Sequence, residues 1–154
     1  MDTQIILLVE DNHDDADLTR DTLRRAHILN KLLVLGDGAA ALEFLQQAAD
    51  PAAEPDRLPI VTLLDLNLPK LDGFELLKQI RADERLQKLA VIILTTSQEQ
   101  EDVFKCYELY ADGYVRKPVD VERLSEALRQ AGLGWQLCPM PSAPAPARFK
   151  PDDS

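Results

Sequence analysis

This chain of 154 residues is poor in cysteine, lacks long hydrophobic runs and carries few basic residues for its acid content. Its two cysteines, Cys106 and Cys138, cannot build a disulfide framework, so a reducing, cytoplasmic setting is expected. The longest apolar run, Leu89–Leu94, has six residues, far below the ~20 that span a bilayer, and no membrane association is expected. The opening Met-Asp-Thr-Gln has no basic stretch and no secretory cleavage pattern. Lys and Arg total 17 against 27 Asp and Glu, a net charge of −10. Without a basic patch such a chain repels phosphate backbones, so nucleic-acid binding is not expected. Neither histidine, His13 or His27, stands at metal-ligand spacing from a cysteine, and neither has a serine or cysteine partner for triad chemistry. What is present is a hydrophobic fraction of 45%, ordinary for one globular domain.

That fraction is concentrated in five short runs: Ile5–Val9, Leu32–Leu35, Ile60–Leu64, Val91–Leu94 and Tyr114–Val115. Most are continuous rather than alternating, as strands buried on both faces of a parallel sheet require. Helical spacing lies between and after them. Ala16, Thr19, Leu23 and Ala26 form one stripe; Val121, Leu124, Leu128 and Ala131 form another; Phe74, Leu77 and Ile80, then Val103, Tyr107 and Tyr110, form shorter ones. Five β-α repeats predict an α/β fold, a doubly wound open parallel sheet with helices on both faces. Asp50–Pro59, with three prolines, reads as a surface loop before the third strand. Gly132 and Gly134 stop the last helix. Residues 132–154 read as a C-terminal extension, Pro-rich and mostly disordered after 139, with five prolines among its final sixteen residues.

In an open parallel sheet, ligands bind outside the carboxyl ends of the strands. Glu10 and Asp11 follow the first strand, Asp65 the third, Thr95 and Thr96 stand at the end of the fourth, and Lys117-Pro118 follows the fifth. Two carboxylates ~4 Å apart repel by about 4 kcal/mol at an effective dielectric of ~20, so three together call for a cation. An all-oxygen ligand set favours Mg²⁺ over zinc, and Mg²⁺ is commonly shared with a phosphoryl group. Lys117 then supplies a point charge for a phosphate oxygen and Thr95 a hydroxyl. The chemistry this arrangement suits is phosphoryl transfer onto a carboxylate, with Asp65, on the middle strand, as acceptor.

These residues also carry a family likeness. Glu10-Asp11, Leu63-Leu64-Asp65-Leu66-Asn67-Leu68-Pro69 with Asp72-Gly73, Thr95-Thr96-Ser97 and Lys117-Pro118, with Thr95 22 residues before Lys117 and Tyr114 three before it, resemble a bacterial two-component response regulator receiver domain. The likeness covers about residues 4–131. It implies a flavodoxin-like five-stranded sheet of order 2-1-3-4-5. Asp65 would accept a phosphoryl group from a histidine kinase. Glu10, Asp11, Asp65 and the backbone carbonyl of Asn67 would hold Mg²⁺ or Mn²⁺. Lys117 and Thr95 would bind the phosphoryl oxygens, Tyr114 would turn inward with Thr95, and Lys117–Pro118 would be a cis peptide. Such a protein assists its own phosphorylation and hydrolysis and is not otherwise an enzyme.

Leu64–Gly73, Val91–Ser97, Arg116–Asp120, the loop before the third strand and the tail with Trp135, Leu137 and Pro139 resemble a narrower group, stand-alone receivers paired with phytochrome-type sensor kinases. That likeness implies a homodimer and an unidentified downstream protein, since ~23 residues after the last helix leave no room for an output domain. Two features depart from the common pattern. Glu10 replaces an aspartate, and Thr96 is larger than the usual Ala or Gly, so slow attack by water and small phosphodonors is expected. Val103, Phe104, Tyr107, Leu109 and Tyr110 give the helix before the fifth strand more apolar surface than one core stripe needs. Both a broad core face and a partner surface extended by Trp135, Leu137 and Met140 fit that excess. The acids Asp14, Asp15 and Asp17 read as a negative first helical turn.

Rival chemistries fit less well. A flavodoxin-like cofactor binder needs a hydroxyl- or glycine-rich loop after its first strand, where this chain has Glu-Asp-Asn-His-Asp-Asp. A dehalogenase-type aspartyl phosphatase needs an acid two residues after its nucleophile, where this chain has Asn67, and a cap domain. A phosphorylation-independent scaffold would have lost Asp65 or Lys117.

Overall fold

A computed structural model describes residues 5–28, 30–52, 58–66, 68, 71–96, 108–117 and 119–130. Strands β1 (Ile6–Val9), β2 (Leu32–Leu35), β3 (Val61–Asp65), β4 (Val91–Thr95) and β5 (Gly113–Arg116) alternate with helices α1 (His13–Arg25), α2 (Gly38–Ala48) and α3 (Gly73–Ala82); α4 (Val121–Gln130) closes the described part. The strands form one parallel sheet, as their apolar pattern predicts, in the order β2-β1-β3-β4-β5 that the family likeness implies. Winding leaves β1 first toward β2 and then toward β3, so the sheet's switch point opens at the carboxyl ends of β1 and β3.

Side chains alternate across the pleat and feed two cores. Ile6, Leu8, Leu63, Ile92 and Leu94 pack against Ala16 and Leu23 of α1 and Leu124, Ala127 and Leu128 of α4. Leu7, Val9, Leu64 and Ile93 pack against Ala41 and Leu45 of α2 and Leu76, Leu77 and Ile80 of α3. Burial on both faces explains why β1 and β4 read as unbroken apolar runs and why β3 is interrupted only by Thr62, itself buried. The edge strand β2 is half-buried. Ile5 and Ile60 lie just outside the strands, β5 is longer than Tyr114–Val115, and Asp65 is the last residue of β3 rather than the residue after it. In α4 the buried stripe runs through Leu124, Ala127 and Leu128 rather than Val121, while Ala131 lies outside the described residues.

Three helices begin in the same way. Asn12, Asp37 and Asp72 each accept the backbone N–H three residues on, at 3.0, 2.6 and 2.9 Å, and so start α1, α2 and α3 at the sheet's carboxyl edge. The first turn of α1 carries Asp14 and Asp15, as the helix dipole favours, whereas Asp17 pairs with Arg20 at 3.5 Å. At the opposite edge Arg81 donates to the carbonyls of Leu89 and Tyr110 and to Asp112, while Asp112 also accepts the N–H of Val91 at 2.8 Å. This knot ties α3 to the starts of β4 and β5.

Candidate functional site

The carboxyl ends of β1, β3 and β4 place Glu10, Asp65 and Thr95 side by side, all three buried, with Asp11 exposed at the rim. The N–H of Glu10 donates to Leu35 O at 2.9 Å, which holds its backbone to β2, and its carboxylate accepts the N–H of Asn12 at 3.3 Å. Asp65 is fixed from behind by α3. The Gly73 N–H donates to Leu66 O at 2.9 Å, and a Cβ on Gly73 would lie 2.5 Å from Asp65 O, so only glycine lets the helix approach this closely. Lys117 reaches the same point from β5, its N–H donating to Thr95 O at 2.7 Å.

Three carboxylates surround the Lys117 ammonium. Nζ donates to Glu10 Oε1 at 2.7 Å, Asp15 Oδ2 at 3.0 Å and Asp65 Oδ2 at 3.3 Å. Burial pushes the Glu10 carboxyl up to about 7; Lys117 opposes that shift and the Asp65 charge adds to it. Burial alone would lower Lys117, but its hydrogen bonds to Glu10 and Asp15 and the charge of Asp65 outweigh it and hold the amine protonated above its ordinary range. A divalent cation beside Glu10 and Asp65 would relieve the repulsion between their charges.

One oxygen from each of Glu10, Asp11 and Asp65 lies within 4.8 Å of the others. Oxygen donors alone, two of them buried, fit a hard divalent cation such as Mg²⁺. Below pH 7 that cation competes with a proton on Glu10. Mg²⁺ affinity measured by calorimetry is therefore expected to rise by about tenfold from pH 6 to pH 8. A flat profile would contradict the assignment of Glu10 to the cluster.

Thr96 is exposed, one residue beyond β4, and Tyr114 on β5 is half-buried against the α2–α3 core. Tyr110 is 75% exposed, with φ 64°. The Asn67 carbonyl, the Lys117–Pro118 peptide and the interface candidates Val103, Phe104, Tyr107, Trp135 and Leu137 lie outside the described residues, as does the extension from 131 onward. His13 opens α1 and is exposed; His27 lies beyond the end of that helix at φ 63°, and Arg24 and Arg25 supply the positive charge of the last turn. Sequence reasoning treated Asp15 as helix-dipole chemistry and missed its contact with Lys117, 102 residues away. The available signal was the Asn12 cap, which fixes the first turn of α1 against the same sheet edge.

Residues 6–129 match the response regulator receiver domain family. The chain belongs to that family. Response regulator Rcp1 of Synechocystis sp. (strain ATCC 27184 / PCC 6803 / Kazusa) is 38% identical to this receiver over 132 residues, 86% of this chain and 88% of Rcp1. The probable methanogenesis regulatory protein FilR2 of Methanothrix harundinacea (strain 6Ac) is also 38% identical, over 144 residues, 92% of this chain and 91% of FilR2. Among solved structures, the bacteriophytochrome response regulator RtBRR superposes with a TM-score of 0.77 at 39% identity, covering 96% of this chain and 88% of its own. The Mn²⁺-bound form of Rcp1 superposes with a TM-score of 0.66 at 38% identity, covering 84% and 91%. The receiver is thus related to phytochrome response regulators. Among the described residues no helix is long and apolar enough to cross a membrane.

Proposed function

We propose that this receiver takes a phosphoryl group onto Asp65 from the phosphohistidine of a sensor histidine kinase of the bacteriophytochrome type, in a step that requires Mg²⁺ or Mn²⁺. The observation that carries the reading is the Lys117 ammonium 3.3 Å from Asp65 Oδ2, with Glu10 and Asp11 completing a carboxylate cluster with Asp65. The kinship with RtBRR supports the kinase type, and the Mn²⁺-bound form of Rcp1 supports the cation.

A carboxylate oxygen of Asp65 attacks phosphorus, an O–P bond forms, and the P–N bond to imidazole breaks with its electron pair leaving on nitrogen. When bound, a divalent cation would be held by Glu10, Asp11 and Asp65, with the Asn67 carbonyl that the family likeness implies, and would supply positive charge to the phosphoryl oxygens. Lys117 donates to one of those oxygens, and the Thr95 hydroxyl, buried beside Asp65, donates to another. Movement of Thr95 makes room for Tyr114 to turn inward, which changes the face formed by β5 and α4. One phosphoryl group then biases a two-state surface. A second copy of the chain and a downstream protein read that surface in the cytoplasm. No separate substrate is turned over.

Transfer from an autophosphorylated histidine kinase tests the reading. Label is expected to move to this chain with Mg²⁺ and to stay on the kinase in EDTA; transfer unaffected by EDTA would refute the metal-dependent step. Thr96 stands at the mouth of the site, so Thr96→Ala is expected to speed hydrolysis of the phosphorylated form severalfold. An unchanged rate would remove Thr96 from the account.

A further inference from the structure

An ammonium group has three N–H bonds, and Lys117 spends one on each of Glu10, Asp15 and Asp65. Glu10 and Asp65 belong to the carboxylate cluster, and Asp15 does not. Asp15 stands on the first turn of α1 and is fixed there independently: its N–H donates to Asn12 Oδ1 at 3.0 Å and its carbonyl accepts from Thr19 Oγ1 at 3.0 Å. We propose that Asp15 is a positioning residue that keeps the Lys117 ammonium beside Asp65 when Glu10 and Asp65 are engaged by a divalent cation. The role in phosphotransfer rests on Asp65 being the acceptor; the contact itself does not.

The physical need is plain. A cation at the cluster would bind two of the carboxylates that hold Lys117 and repel its ammonium. A lysine on four flexible methylenes then leaves for water unless another acceptor retains it. Among the described residues, Asp15 is the acceptor of Lys117 that no cation at the cluster claims. Its side chain is 39% exposed, while that of Lys117 is 8% exposed. An acid kept only for the helix dipole needs no such contact: Asp14, on the same first turn, is exposed.

The Nζ resonance of Lys117, followed by ¹⁵N NMR on the full chain with Mg²⁺ alone as probe, separates the two. In the wild type the protected ammonium signal is expected to persist from the metal-free state to Mg²⁺ saturation. Asp15→Asn should show the signal without metal, which also proves the fold, and lose it at saturating Mg²⁺. Asp15→Glu should retain it, and Asp17→Asn should behave as wild type. Phosphotransfer at saturating Mg²⁺ should slow by about tenfold in Asp15→Asn, the scale seen when the partner orienting a metal-site group is removed, and recover in Asp15→Glu. Survival of the Asp15→Asn signal in Mg²⁺, or equal loss in Asp17→Asn, would overturn the proposal. A wild type that shows the expected signals and takes no phosphoryl group would instead refute Asp65 as acceptor and leave the positioning role standing.

Discussion

Replacing Lys117 with Met is expected to cost the metal-free protein about 3–5 kcal/mol at pH 8, because it strands buried carboxylates without their counter-charge. Glu10 and Asp65 are almost wholly inaccessible, so water cannot take over the ammonium's role. The loss should shrink on acidification. The folded-state pKa of Glu10 is raised to about 7, so its contribution to stability is fully present below the ordinary glutamate value and is lost as pH rises through 7. Without Lys117 the cluster resists ionisation further, which extends the same slope to higher pH. Urea unfolding of both proteins at pH 5 and pH 8, in EDTA and in Mg²⁺, measures all of this. The gap should be widest at pH 8 in EDTA and narrow on addition of Mg²⁺. A gap independent of pH and metal would mean that Lys117 contributes packing rather than charge.

The second large effect falls on a residue that touches no ligand. Gly73 begins α3 against the end of β3, where a Cβ would stand 2.5 Å from Asp65 O and 2.6 Å from Leu66 Cα. Both obstacles are backbone, so a methyl group must push α3 away from the strand that carries Asp65. Gly73→Ala is expected to cost about 2–3 kcal/mol in stability, at the upper range for overpacking a filled core. Displacing Asp65 by about 1 Å should slow phosphotransfer by about 100-fold even in the folded fraction. Urea unfolding and single-turnover transfer check the two effects. A folded Gly73→Ala with undiminished transfer would show that the strand end does not depend on this contact.

What the sequence disclosed follows from the range of the forces involved. Ile6–Val9, Val61–Leu64 and Val91–Leu94 were legible because strands buried on both faces leave a continuous, mostly apolar signature, broken only by Thr62. Glu10, Asp65 and Thr95 were legible because each directly follows such a run, and Lys117 because it stands two residues after the shorter run Tyr114–Val115. The helix α2 gave no stripe to the eye, since three of its four buried positions, Gly38, Ala41, Leu45 and Ala48, are small residues. The Asp15–Lys117 contact joins residues whose proximity exists only after five strands have paired. The space behind Asp65 that demands Gly73 has the same origin. Burial of Glu10, and with it the raised pKa, is likewise a property of the assembled sheet edge.

The central claim is that Asp65 accepts a phosphoryl group, and mass spectrometry tests it most directly. The receiver is incubated with a phosphohistidine-bearing kinase and Mg²⁺, its intact mass is recorded, and the adduct is located by peptide fragmentation. One phosphoryl adduct on Asp65, absent from Asp65→Asn, is the predicted result. An adduct of the same mass in Asp65→Asn, or no adduct on folded wild-type protein with several kinases, would contradict it.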